Sequence, residues 1–136
     1  MKILILLLIF SFVQGSRSCM NDVQDSNIDF SDLQGKWLWV STTGGFAGLS
    51  TTPESTGNEV IIEFTKDHHF KKYVNQVAQV NDSCQVIMKK SIFSTDLTPQ
   101  LKFIGEDIHQ TIELKGNELV LKEECYDCYQ HVYMKQ

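Results

Sequence analysis

The sequence predicts an all-β protein: an antiparallel up-and-down β-barrel of about eight strands, entered through a short N-terminal helical turn. Three observations carry this expectation. From Lys36 onward, apolar and polar residues alternate with period two in short runs, and no stretch repeats with the period of an amphipathic helix. Turn residues separate these runs closely, as in Lys66-Asp67-His68, Gly105-Glu106-Asp107 and Lys115-Gly116-Asn117, so consecutive strands are joined as hairpins. Ahead of them, residues 28–37 read as a capped turn that delivers Gly35-Lys36-Trp37 into the first strand.

In that turn, Ser31 and Asp32 are the capping candidates, and Phe30 and Leu33 are apolar plugs. Gly35 permits a sharp bend without a Cβ clash, and Trp37 is large enough to fill one end of a core. The first strand, residues 36–43, sets Trp37, Trp39 and Ser41 against Leu38 and Val40. Further strands are expected at 59–65, 70–75, from 77 or 78 to about 89, 92–95, 101–104, 108–114, 118–122 and 125–134. Thr98-Pro99 must break a strand or lie on an edge, because proline cannot donate to a ladder. A sandwich would use similar strands, but the tight sequential hairpins favour a meander barrel, whose closure removes exposed edges. The connection 44–57, with four glycines and a proline, is long for so compact a domain. Phe46 and Leu49 within it are expected either to fold over the barrel mouth as a lid or to cap the core.

Residues 1–18 read as a signal peptide. Lys2 is a minimal positive region, and residues 3–13 form an apolar run interrupted only by Ser11, about half the length of a membrane-spanning helix. Small residues follow, and cleavage after Gly15 would yield simple secretion. Alternatively, Cys19 is the acylated N-terminus of a lipoprotein, with Ser18 as the small residue before it. Residues 19–27 suit a flexible tether, and 28–136 form the single domain. The expected location is therefore extracytoplasmic, with the membrane contacted through the lipid anchor only.

Removing Lys2 and Arg17 from the twelve basic residues leaves ten against seventeen acidic ones, a net charge near −7 for the mature chain. No basic cluster exceeds the pairs Lys71-Lys72 and Lys89-Lys90, so nucleic acid is excluded as a partner and a soluble monomer is expected.

Cys84, Cys125 and Cys128 belong to an oxidising compartment, where disulfides are the default. With Cys19 acylated, they give one bridge and one free thiol; otherwise two bridges form, with three connectivities open. The favoured pair joins Cys84 to Cys125 or Cys128, tying the middle of the meander to its end. Thioredoxin-type chemistry at Cys125-Tyr126-Asp127-Cys128 would need a helix N-terminus, and strand signals surround it instead. A metal set of Cys125, Cys128 and His131 is not expected, because residues three apart on a strand face opposite sides. His68-His69 falls in a solvated turn, and His109 points outward beside Ile108. No nucleophile elbow and no glycine-rich phosphate loop appear, so neither an enzyme nor a cofactor is expected. Aromatic residues divide between core packing and a pocket. In the pocket reading, Trp39, Phe64 and Phe70 line an apolar space beneath Phe46 and Leu49.

The pattern Phe30-x-x-Leu33-x-Gly35-x-Trp37, followed by a long first loop and a β-meander, resembles the lipocalin-like, or calycin, group. More narrowly, it is similar to small lipocalin-like lipoproteins of Gram-negative envelopes. The stretch from Gly35 to Gly45, the run Pro53-Glu54-Ser55-Thr56-Gly57 and the ending with Cys125-Tyr126-Asp127-Cys128 and Tyr133 carry the likeness. The resemblance implies a barrel closed at one end by Trp37, with an internal apolar pocket under the first loop. The basic residue that packs across this tryptophan in the group falls here at Lys135, in place of arginine. It further implies a non-enzymatic exported protein that binds a small hydrophobic or amphipathic molecule. A filled barrel acting as an envelope interaction module is the alternative.

Overall fold

The structure is a computed structural model that describes residues 27–136. The expected signal peptide, the acylation at Cys19 and nearly all of the tether lie outside the described residues. The elements in chain order are α1 (Phe30–Leu33), β1 (Gly35–Gly44), β2 (Leu49–Thr51), α2 (Pro53–Thr56), β3 (Val60–Phe64) and β4 (His69–Val74). They are followed by β5 (Val77–Lys90), β6 (Leu97–Phe103), β7 (His109–Lys115), β8 (Glu118–Glu123) and β9 (Tyr129–Lys135).

All pairings are antiparallel between neighbours in sequence, except that β1 pairs with β3, and β9 returns to β1 to close the sheet. Strands β1 and β3–β9 thus make a closed eight-stranded barrel. Strand β2 is an appendage. It pairs with the far end of β1, Thr42 to Gly44, on the same side that β3 occupies at Gly35 to Leu38.

The helical turn closes one end. Its cap is Asp29 rather than Ser31: the Asp29 carboxylate accepts the Ser31 N–H at 2.6 Å, and Asp32 closes a capping box by accepting the Asp29 N–H at 2.9 Å. Phe30 packs edge-to-face on Phe64 and stacks on His68, with centroids 6.0 and 4.2 Å apart. His68 lies in the β3–β4 turn at positive φ and is exposed, as expected, with its ring stacked on Phe30, whereas His69 is half-buried as the first residue of β4. Leu33 and Trp37 are fully buried, and the indole Nε1 donates to the Leu33 carbonyl at 2.7 Å. Gly35 enters β1 at φ +115°, a conformation open to glycine.

Inward positions follow the alternation: Ile62 and Phe64, Phe70, Cys84, Leu101, Ile112, and Leu119 and Leu121 join one core with Trp37, Trp39 and Tyr133. A β-bulge between Trp39 and Ser41 shifts the register with β9, so that Thr42 rather than Ser41 stands opposite His131.

The expected strand at 92–95 is a turn. The hairpin of β5 and β6 extends beyond the pairing with β7, which begins only at Gln100, and its tip folds back against the outer face of β7 and β8. Pro99 lies in this overhang, opposite Met88 and without a β7 partner, as the edge expectation requires. Glu124 clamps the tip: it accepts from Ser91 Oγ and the Ile92 N–H, both at 2.8 Å, and from Thr111 Oγ1. Partial burial pushes its carboxyl pKa up, but the hydrogen bonds from Thr111, Ile92 and Ser91 together hold it below the usual range. Under the tip, Gln100, His109 and Thr111 are buried although they alternate away from the core. His109 points out of the barrel as expected, but into protein.

The last expected strand also starts too early. Residues 125–128 form the β8–β9 loop, and Cys125 bonds Cys128, with Cα atoms 5.5 Å apart. This corrects the favoured pairing. Cys84 is a free thiol, 1% exposed on the inner face of β5 opposite Phe103. Asp127 at φ 57° turns the loop tightly enough to bring its own two cysteines within bonding range.

Candidate functional site

The barrel interior holds a cavity of about 310 Å³ toward the end opposite α1. Phe70 of β4, Val80 of β5, Phe103 of β6, Leu121 of β8 and Tyr133 of β9 give it apolar walls. Lys72, Asp82, Gln110, Glu123 and His131 bring polar groups to the same space, and Glu106 and Ile108 of the β6–β7 loop border it. Four strands contribute residues two apart (70 and 72, 80 and 82, 121 and 123, 131 and 133), which places both members on the inner face, and β6 and β7 add Phe103 and Gln110. On β4, β8 and β9 the deeper member is Phe70, Leu121 or Tyr133 and the outer one Lys72, Glu123 or His131, whereas on β5 the order is reversed, with Asp82 beside Phe70 and Val80 beside Lys72. Along three of these four strands the lining therefore passes from apolar or aromatic to polar toward the rim.

A hydrogen-bonded chain fixes its β9 wall. Trp39 Nε1 donates to Thr42 Oγ1 at 2.9 Å, and that hydroxyl lies 2.8 Å from His131 Nδ1. An indole only donates, so the Thr42 oxygen accepts from it and directs its own proton to His131 Nδ1. His131 then carries its proton on Nε2, which faces Glu123 Oε1 at 3.4 Å. Burial pushes the His131 pKa below its ordinary value, with Glu123 opposing the shift, so the imidazole is neutral at neutral pH. Glu123 accepts the Tyr129 N–H through Oε2 at 3.1 Å. Burial also raises the Tyr133 phenol far above its normal range.

The expected pocket residues are placed unevenly. Phe70 lines the cavity. Phe64 is fully buried beneath it, edge-to-face with Phe70 at 5.5 Å, and fills the core. Trp39 stands behind the lining and reaches the site through Thr42. Phe46 is 97% exposed and Leu49 66%, so neither covers a mouth. The first loop contains β2 and α2: β2 hydrogen-bonds back along β1, and α2 is started by Thr52 and Pro53 and ended by Gly57. Backbone pairing therefore carries this segment along the sheet edge instead of across the opening.

His131, Glu123, Thr42 and Lys72 are the residues that the sequence reading missed. Alternation from Tyr133 points to His131 as inward, but Thr42 depends on the bulge, which has no sequence signal here. Three further hollows are present, a small one of about 140 Å³ beside the Cys125–Cys128 loop and two larger ones at the folded-back tip. One of about 340 Å³ sits between the hairpin tip, Ile28 and the outer face of β7 and β8, and one of about 250 Å³ surrounds Gln100 and His109. Both are spaces left by the folded-back tip. The interior cavity is distinguished by its walls, which come from six strands of the barrel, β4 to β9.

Fold and site together define a closed, eight-stranded antiparallel barrel with an interior cavity of mixed apolar and polar lining. Comparison with protein-family models, with curated proteins and with solved structures finds no match.

Proposed function

We propose that the protein is a non-enzymatic, exported, lipocalin-like barrel that holds a small amphipathic molecule in its interior. The cavity of about 310 Å³ with an apolar floor and a polar rim is the observation that carries this reading. Its size lies at the lower end of ligand pockets, roughly 300–1,000 Å³, which favours a compact ligand over a long acyl chain. The apolar part of the guest packs among Phe70, Phe103 and Leu121, and its polar part meets Lys72, Glu123 and His131. His131 and Glu123 act as fixed hydrogen-bonding groups, and selection arises from shape and these anchors. Export, with either an acylated Cys19 or a free mature N-terminus, belongs to the same proposal and rests on residues 1–19 of the sequence.

Titration with a small fluorescent amphiphile tests the reading. Saturable 1:1 binding is expected, abolished in Leu121→Trp, which fills the cavity, and retained in Phe46→Ser. Binding unchanged in a folded Leu121→Trp protein, or no binding by the native protein to any of a panel of such probes, rejects the interior site. The exposed Phe46 and Tyr126 support a second reading, in which the rim docks a protein partner. That reading predicts loss of partner capture in Phe46→Ser with the cavity filled or empty.

A further inference from the structure

We propose that Cys125, Cys128 and Glu123 form a redox-gated site for a thiophilic divalent cation of the Zn2+ class at the rim of the barrel. Three observations converge on it.

The donor atoms are already close. The two sulfurs and a Glu123 carboxylate oxygen all lie within 4.8 Å of one another. Around a tetrahedral zinc with bonds of about 2.0–2.3 Å, donors stand roughly 3.5 Å apart, so small side-chain rotations suffice. Two cysteines separated by two residues are a common chelating element, provided the backbone turns between them. A regular strand would put them on opposite faces. Here they lie in a loop turned by Asp127 at φ 57°, which removes that objection.

The loop is held by contacts other than the disulfide. Gly45 N–H donates to the Cys128 carbonyl at 3.2 Å. That carbonyl approaches Gly44 so closely that a Cβ there would overlap the oxygen. The Tyr129 N–H and His131 Nε2 orient the two oxygens of Glu123, at 3.1 and 3.4 Å. Such outer partners fix a carboxylate ligand in metal sites. Opening the disulfide therefore leaves the Cys128 backbone and the Glu123 carboxylate near their places, and Cys125 directly follows Glu124, whose carboxylate is held by Ser91, Ile92 and Thr111.

The gate is the disulfide itself. While the sulfurs are bonded to each other, neither is a thiolate and the site has one strong donor. A dithiol reductant attacks the S–S bond, takes it over as its own cyclic disulfide, and supplies two electrons and two protons to give the Cys125 and Cys128 thiols. Cys125 is exposed, so the reductant reaches it. The cation then displaces both thiol protons to solvent and binds two thiolates and Glu123, with solvent in the remaining position.

Cobalt(II) titration of the full chain tests this, because thiolate-to-cobalt charge transfer in the near ultraviolet reports sulfur ligands directly. The chain is reduced with a phosphine, freed of it under anaerobic conditions, and compared with the oxidised chain. The reduced chain is expected to bind one equivalent with a charge-transfer band that Zn2+ abolishes, and the oxidised chain to show none. The band persists in Cys84→Ala and Cys19→Ser, and is lost or halved in Cys125→Ser and Cys128→Ser. Glu123→Gln keeps the band and weakens binding at least about tenfold. Absence of the band in reduced, folded protein overturns the site. So does a band undiminished in either cysteine variant, or equal binding by the oxidised chain. Unchanged affinity in Glu123→Gln overturns the three-donor assignment.

Discussion

Lys135 lays its ammonium over the Trp37 indole, with Nζ 4.8 Å from the ring centroid. The same nitrogen lies 3.4 Å from the Asp32 carbonyl, and Trp37 Nε1 donates to Leu33. The last strand, the first strand and the helical turn are thereby joined around one side chain at the closed end. Trp37→Ala removes a fully buried indole and is expected to cost about 3–5 kcal/mol. Lys135→Ala should cost only about 0.5–1 kcal/mol, and Lys135→Arg should restore it. Equilibrium denaturation in urea measures all three.

Gly44 is required by its neighbour rather than by its turn alone. It sits at φ +129°, and any Cβ added to it would run into the Cys128 carbonyl, so Gly44→Ala forces the β8–β9 loop away from β1. A loss of more than about 2 kcal/mol is expected, from backbone strain together with the displaced Gly45–Cys128 hydrogen bond. Gly48→Ala is the control: it has open space around it and carries only the φ penalty, about 1 kcal/mol. Thermal unfolding of the pair reads the difference.

Thr42 links Trp39 to His131, and Thr42→Val keeps its shape while removing the hydroxyl. The indole N–H and His131 Nδ1 then lose their shared partner within a partly buried setting. The expected loss is roughly 1–3 kcal/mol, larger than for an exposed threonine. Chemical denaturation checks the magnitude, and the His131 imidazole resonances report the change in tautomer.

The sign of the pH dependence follows from His131. Burial holds its folded-state pKa below the ordinary 6.5, so the unfolded chain takes up the proton first as pH falls. Stability from this residue is therefore fully present above about pH 6.5 and declines below it, until the folded form also protonates. The slope is bounded at about 1.4 kcal/mol per pH unit. Denaturation midpoints measured between pH 7.5 and 5.5 should fall in the native protein and flatten in His131→Gln.

Cys84 is expected to be inert. Burial first, with Asp82 adding to it, pushes its thiol up to about 12, and almost none of the side chain is exposed. Iodoacetamide should leave the Cys84 peptide unlabelled at pH 8 in folded protein and label it fully in guanidinium, as read by mass spectrometry. The short Cys125–Cys128 closure is worth about 2 kcal/mol in the chain-entropy model, against about 4 for a bridge to Cys84. Reduction should accordingly leave the barrel folded.

Much of this fold was legible because its signals are local. Alternation around Phe64, Phe70, Leu119 and Leu121 depends on residues two apart, and Lys115-Gly116-Asn117 makes its turn regardless of what lies across the barrel. The strand at 92–95 failed because Ile92 and Phe93 satisfy a strand pattern while Glu124, distant in sequence, captures Ser91 and the Ile92 N–H. The site was less legible. Phe70 was expected to line it and does, but Phe64 belongs to the core, and Phe46 and Leu49 to the exterior. Apolar character alone does not distinguish these fates.

By itself, the sequence determined the strand class, the order of the hairpins and the Gly35-Lys36-Trp37 entry, since each rests on near-neighbour sterics and on the period-two pleat. The register at which β9 closes on β1, the bulge that turns Thr42 toward His131, and the cover that buries His109 came only with tertiary structure. So did the partner of each cysteine. These depend on register between segments up to about ninety residues apart, as between Thr42 and His131, where one residue of slip exchanges the inside of the barrel for the outside.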